Sequence, residues 1–206
     1  MDESKSFTNE YKTYKIRKDQ SDDCFPFVFT DTMGLEPLKD QGIHVEDLVL
    51  ILKGHVRDGY KFNASSPLTD TNSKFYNPSP APEDKVHLLV CVLPAHSPTL
   101  HSSVIEKIRR MRSVARDLNI PHVAVLTHCD LINTEAKANV QNIFHVKDIL
   151  DKIREYGADV GFDENHFFPV RNYCMKYHQG NEGMDTLVLS TLKHMLNYAD
   201  NFIHTL

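Results

Sequence analysis

Two short apolar runs without alternation, HLLVCVLPA at 87–95 and HVAVLTHCD at 122–130, constrain this chain more than anything else in it. A strand with one wet face alternates apolar and polar residues. An unbroken apolar run of strand length instead needs cover on both faces, the setting of a parallel sheet with helices above and below. The segment between the runs supplies such a cover. Val104, Ile108, Met111, Ala115 and Leu118 recur at intervals of three and four, which predicts an amphipathic helix over 101–118 crossing back over the sheet. Pro94 helps to end the first run, and Asn119 to Pro121 close the helix.

The flanking segments extend the pattern. YKTYKIR at 11–17 suits a half-exposed strand, and the acidic stretch Asp19 to Asp23 turns the chain. In FPFVFTDTMG the apolar run Phe25 to Thr30 predicts a buried strand that delivers Asp31 to its carboxyl edge. VEDLVLILK at 45–53 has helical spacing, with Gly54 as its stop. Residues 63–85 hold Pro67, Pro78, Pro80 and Pro82 among Ser, Asn and Asp, and form a long inserted loop. Arg57, Asp58 and Tyr60 just before it are expected to anchor that loop. Further elements follow: a helix at about 146–156, a short strand at 167–173, and a last helix at 184–202 with a stripe through Leu187, Leu192, Met195 and Phe202. Strands alternating with helices define an α/β fold with a mainly parallel sheet flanked by helices. At 206 residues the expectation is one domain over 1–206 with the loop at about 63–85 inserted.

Composition removes several function classes. Lys and Arg number 23 against 28 Asp and Glu, a net charge of −5, so no nucleic acid partner is expected. The cationic run of Lys107, Arg109, Arg110, Arg112 and Arg116 lacks interleaved aromatics and reads as a solvated helix face. No apolar run approaches the ~18–20 residues that cross a bilayer, and MDESKSFTNEYK has no signal-peptide core, which places the chain in the cytoplasm. Cys24, Cys91, Cys129 and Cys174 form no C-x-x-C pair, and the histidines show no metal-binding spacing. Cys129 beside His128 does not make a nucleophilic dyad, because adjacent strand residues point to opposite faces.

In open parallel sheets ligands gather outside the carboxyl ends of the strands, where loops and helix N-termini present free backbone donors. Three polar clusters fall there: Asp31 to Gly34, Thr127 to Asp130, and Arg171 to Tyr173. Asp31 can hold a magnesium ion through water, and Gly34 lets a backbone N–H approach a phosphate. Asp130 can accept from two N–H groups of a guanine edge, which adenine does not offer. Each cluster alone is as readily a cap or a turn; together they point to a nucleotide pocket.

YKTYKIR, FPFVFTDTMGL, ILKGHVRDGYKFN, KVHLLVCVLPA, KIRRMR and HVAVLTHCD follow one another in an order that resembles the interferon-induced protein 44 and 44-like family of GTPase-type proteins, over residues 8 to 204. The resemblance implies a cytoplasmic, interferon-inducible G-domain-like protein of antiviral and immune responses. It implies GTP or GDP and Mg2+ as ligands, with Asp31 and Gly34 in a D-x-x-G motif and Thr127, His128 and Asp130 in a guanine motif. Arg171 and Asn172 then lie behind the base. Relatives carry a phosphate loop, G-x-x-x-x-G-K-S/T, upstream of residue 8. None of the eight glycines here is followed by lysine. The expected fold is therefore an incomplete G-domain lacking its first strand, the one that lies between the Asp31 strand and the 87–94 strand in that fold. Nucleotide binding is then weak or lost. Hydrolysis is not expected, since Leu35 stands where many GTPases orient water with glutamine. The expected function is interaction with an unidentified protein partner. The alternatives are a true GTP switch whose phosphate loop is missing only from this sequence, and a scaffold that uses the fold without nucleotide.

Overall fold

A computed structural model describes residues 8–19, 21–38, 41–63, 65–138, 140–173 and 182–206; Cys174 lies outside them. The chain divides into two units, Met1–Val86 and His87–Leu206.

In the first unit, β1 (Lys12–Arg17) and β2 (Cys24–Asp31) form an antiparallel ribbon, with Lys12 opposite Asp31, Tyr14 opposite Phe29 and Lys15 opposite Val28. The expectation of a buried strand fails here, because β2 is exposed along most of its length. An apolar run without alternation tells that both faces are apolar, not that both are covered. The helix α1 (Val45–Leu52) buries Val45, Leu48, Ile51 and Leu52 and stops at Gly54, as expected. Gly54 has φ +82°, and a Cβ there would lie 2.8 Å from the Asp84 carbonyl oxygen.

The proline-bearing stretch after residue 63 forms no strand ladder, yet it is pinned. Arg57 N–H donates to Phe75 O, Asn77 N–H to His55 O, and the His55 and Tyr76 rings stack at 5.4 Å. Asp58 accepts from the Thr13 backbone N–H. Arg57 and Tyr60, whose ring meets that of Phe75, thus have the anchoring role expected of them, whereas Asp58 is tied to β1 and not to the loop. The firmest pin is Asp47, fully buried in α1, whose carboxylate accepts from Leu68 N–H at 2.7 Å and from the Tyr60 hydroxyl at 3.3 Å.

In the second unit the elements are β3 (Leu89–Pro94), α2 (Ser102–Asp117), β4 (His122–Thr127), α3 (Thr134–Ala138), α4 (Lys147–Val160), β5 (Phe167–Pro169) and α5 (Glu182–Ile203). The sheet order is β3-β4-β5, all parallel. The chain therefore has the α/β architecture with a parallel sheet flanked by helices. Central β4 buries Val123, Ala124 and Leu126 completely, and Val123 packs with Phe168 and Met195 of α5. After α2, Asn119 adopts a left-handed φ of 57° and Ile120 N–H returns to Ala115 O, which closes the helix as expected. The last strand is shorter than the expected 167–173. It ends at Pro169 and leaves Arg171 to Tyr173 as loop. Leu187, Met195 and Phe202 of the α5 stripe are buried, together with Met184 and Thr191. Among the described residues no helix is long and apolar enough to cross a membrane.

Burial raises the Asp47 carboxyl above its ordinary value, so the native chain holds that proton more tightly than the unfolded chain. The resulting stability is complete below the unfolded value near ~4 and is lost as pH rises through the raised native value. Urea melts from pH 4 to 8 should show this decline, and Asp47→Asn should flatten it. Asp47→Ala, which leaves Leu68 N–H and Tyr60 without an acceptor, should cost about 2–3 kcal/mol.

Candidate functional site at the carboxyl rim

Parallel pairing brings the carboxyl ends of β3, β4 and β5 to one rim, with Leu93 opposite Leu126 and Leu126 opposite Pro169. Beyond those positions the chain stays tied across the rim. Ala95 N–H donates to Thr127 O, Val170 N–H to Leu126 O, and Cys129 N–H to Val170 O. The rim is therefore a fixed ledge built from three chain segments.

His128 stands at its centre with φ 59° and ψ 31°, a left-handed conformation that few non-glycine residues adopt, though histidine does so more than most. Its backbone N–H donates to Asn172 Oδ1 at 3.1 Å. Its Nδ1 lies 3.1 Å from Thr127 Oγ1, which itself donates to Leu93 O at 3.4 Å. With the hydroxyl proton committed to that carbonyl, the Thr127 oxygen accepts from the Nδ1–H of His128. Thr127, His128 and Asn172, expected together from their strand ends, are thus one hydrogen-bonded group.

Asp130 follows in the short helical turn Cys129–Leu131 and is half-buried. Among the described residues its carboxylate has no hydrogen-bond or ion-pair partner. Arg171, also half-buried, leads into the loop that carries Asn172. Cys129 is fully buried, and its thiol donates to Leu126 O at 3.2 Å. Burial pushes the Cys129 thiol up to about 12, so it is neutral; it lies past the end of β4, beyond the left-handed His128, and not on a strand as expected.

Sequence reasoning missed His96. Its ring sits edge-on to His128 at 4.9 Å between centroids. The loop bearing it is held from below by α4: the Tyr156 hydroxyl lies 3.0 Å from Pro94 O and 3.1 Å from Ser97 O, and Lys152 Nζ donates to Pro98 O at 2.9 Å. The strand-end rule that singled out Thr127 to Asp130 would have pointed to His96 as well, two residues past Pro94. No sequence signal marks Lys152 or Tyr156 as its supports.

Asp31 and Gly34 belong to the other unit. Asp31 is exposed at the end of β2, and its Oδ2 accepts from the Thr8 hydroxyl at 2.9 Å. The Gly34 carbonyl accepts from Ile43 N–H at 3.1 Å and closes the loop before α1. Among the described residues no three His, Cys, Asp or Glu side chains come together as a metal cage. Asp31 by itself supplies one carboxylate to the octahedral oxygen set that a Mg2+ ion takes.

Interferon-induced protein 44 of Mus musculus is 32% identical over 202 residues, 97% of this chain and 46% of the mouse protein. The Homo sapiens protein of the same name is 32% identical over 200 residues, 97% of this chain and 44% of its own length. The chain is a homologue of these interferon-induced proteins. Interferon-induced protein 44-like of Homo sapiens is 29% identical over 202 residues, 98% of this chain and 44% of that protein. The chain thus spans a little under half the length of the interferon-induced 44 proteins it matches. No family model and no solved structure matches it.

Two outcomes follow for the rim. His128→Val should lower stability by about 1–2 kcal/mol in denaturant melts, because a β-branched residue resists the left-handed conformation, whereas His128→Gly should cost less or stabilise. Cys91, which burial also pushes up to about 12, and Cys129 should both stay inert to a thiol reagent until denaturant is added. Of the three described cysteines, half-buried Cys24 should react first.

Proposed function

We propose that this chain is a cytoplasmic, interferon-induced immune-response protein that keeps a guanine-binding rim on a partial G-domain-like fold and works through a protein partner, not as a GTPase. The names of its homologues support the interferon-induced role. The observation that carries the rest is the convergence of Thr127, His128 and Asn172 on one rim next to Asp130, whose carboxylate has no partner among the described residues.

Base recognition divides among these groups. Asp130 accepts from two N–H groups on the guanine edge, and an adenine there would leave the carboxylate facing an acceptor. The His128 ring, fixed by Thr127 and braced by His96, covers a face of the base in place of the usual lysine stem. Arg171 and Asn172 stand behind it. A phosphate cradle of successive backbone N–H groups with a lysine has no counterpart in this sequence, which contains no Gly-Lys pair. Leu35 after Gly34 has no polar atom with which to orient a hydrolytic water.

Binding through the base alone has a distinct signature. Guanosine and Mg-GTP should raise the melting temperature alike, with ~2.7 kcal/mol of stabilisation at a hundred times the dissociation constant, and adenosine should not. Asp130→Asn should abolish the guanosine shift. Mg-GTP binding far more tightly than guanosine would favour the GTP switch. No shift with any of them would favour the scaffold.

A further inference from the structure

The amino end of β4, opposite the end that forms the base rim, brings cations together. His122 opens the strand, half-buried, with Nδ1 3.3 Å from Ile120 O and its ring centroid 6.4 Å from that of half-buried His166. A carbonyl only accepts, so Nδ1 carries the proton of the neutral ring, and Nε2 gains one when the ring becomes charged. Burial holds the His122 pKa below the ordinary histidine value, and so do the charges of Arg112, His166 and Arg116. The His166 ring in turn meets Tyr198 of α5 edge-on at 5.6 Å.

Arg112 is the cation that lacks a counter-charge. Among the described residues its guanidinium has neither an ion pair nor a hydrogen bond, and its Nε is buried. Close packing on Gly161, whose Cβ position is 2.8 Å from Arg112 Nη1, fixes the group without neutralising it. The carboxyl end of α4 beside it supplies only about half a negative charge. The acids of the adjoining turns are engaged elsewhere. Asp117 lies 3.8 Å from Arg116 Nε, Asp163 accepts from Asn165 N–H at 2.9 Å, and Glu164 lies 3.7 Å from Arg154 Nε. None of them, nor Asp159 of α4, is among the charges that act on His122.

A half-buried cation without a partner is unfavourable, and a bound anion relieves it. The guanidinium fork matches the oxygens of a carboxylate or a phosphate equally well, so charge decides between them. Arg112 is always charged, and protonation of His122 and His166 adds two further charges, which a dianion balances better than a single carboxylate does. We propose that Arg112, His122 and His166, with exposed Arg116 at the margin, form a binding site for a phosphate monoester dianion at the amino end of β4. The site stands apart from the base rim and does not depend on it.

The test titrates the 206-residue chain with sulfate, a dianion throughout the neutral range, at constant ionic strength. NMR follows the Arg112 Nε–H and the His122 ring, with exposed His204 as reference. Saturable shifts of Arg112 and His122 are expected, with affinity about tenfold higher at pH 5.5 than at pH 8, because an imidazolium attracts the anion and a neutral ring does not. Acetate should bind at least about tenfold more weakly than sulfate at pH 5.5. Arg112→Gln should abolish the His122 shift. Should that variant not fold, exposed Arg116→Gln leaves the core intact and should weaken sulfate about two- to threefold. A shift shared by His204, equal affinity at the two pH values, acetate matching sulfate, or unchanged affinity in the variants overturns the proposal. A phosphoserine pentapeptide and inorganic phosphate then separate the sources of the dianion. Tighter binding of the peptide assigns it to a phosphorylated protein and tighter binding of inorganic phosphate to a free metabolite, whereas failure of both to displace sulfate overturns the site. Guanosine stabilisation should be the same in Arg116→Gln as in the unaltered chain, so the two sites succeed or fail separately.

Discussion

β4 runs parallel between β3 and β5 and is in register with both, and the candidate site inherits its shape from that register. With Leu126 opposite Leu93 on one side and Pro169 on the other, three chain segments leave the sheet at one level. The register is held by the side chains that the sheet buries, since Val123, Ala124 and Leu126 are fully covered. A slip of one residue would exchange the two buried faces of β4, setting Val123 into the space of Ala124 and Leu126, and close packing would fail on both sides. The hydrogen bonds Ala95 to Thr127 and Val170 to Leu126 carry the same alignment past the last paired residues. His128, Asn172 and His96 meet because the strands beneath them cannot slide.

How far this was legible in the sequence varies with the kind of force involved. Of the two runs read as strands covered on both faces, β4 is so covered, whereas β3, an edge strand among the described residues, leaves Val92 65% exposed; α2 was readable because burial on one helical stripe writes itself directly into residue spacing. Asn119 and Gly54 were readable as stops because a left-handed residue has few chemical choices. The β2 run was misread: FPFVF is as apolar as a core strand, but cover depends on what the rest of the chain supplies, and a two-stranded ribbon leaves it open. Asp47 was unreadable. It stands in the first turn of α1 like any acid near a helix N-terminus, yet its partners Leu68 and Tyr60 come from the following loop, and only the fold brings them there. At the rim, Thr127, His128 and Asp130 were found by their place at a strand end, whereas the brace from His96 depends on contacts far apart in the chain.

The cationic run of α2 shows why a charge count does not define a surface. Arg109 Nε donates to the Asp159 carbonyl, and the Arg112 guanidinium lies against Gly161, whose Cβ position is 2.8 Å from an Arg112 terminal nitrogen. Both act on the carboxyl end of α4, where the last carbonyls lack helical partners and the helix dipole favours positive charge. Gly161, left-handed at φ +77°, makes room for the guanidinium. These arginines are spent on packing one helix against another. The expectation of a purely solvated face thus fails for Arg109 and Arg112.

The left-handed turn at His128 follows from two demands on adjacent residues. Cys129 enters the core, where its thiol reaches Leu126 O, while Asp130 stays half-buried at the edge. A strand continuing straight through Thr127 would alternate these side chains but would carry Asp130 onward, away from the loop that holds Asn172. A left-handed residue reverses the chain within one step, and the Asn172 side chain secures the reversed N–H. Such a backbone costs on the order of 1 kcal/mol for a residue with a Cβ, and glycine would avoid it. A glycine, however, could not supply the ring that meets Thr127 and His96. The conformational cost and the ring contacts fall on one residue, which is the arrangement expected where a side chain is kept for what it touches and not for how it folds.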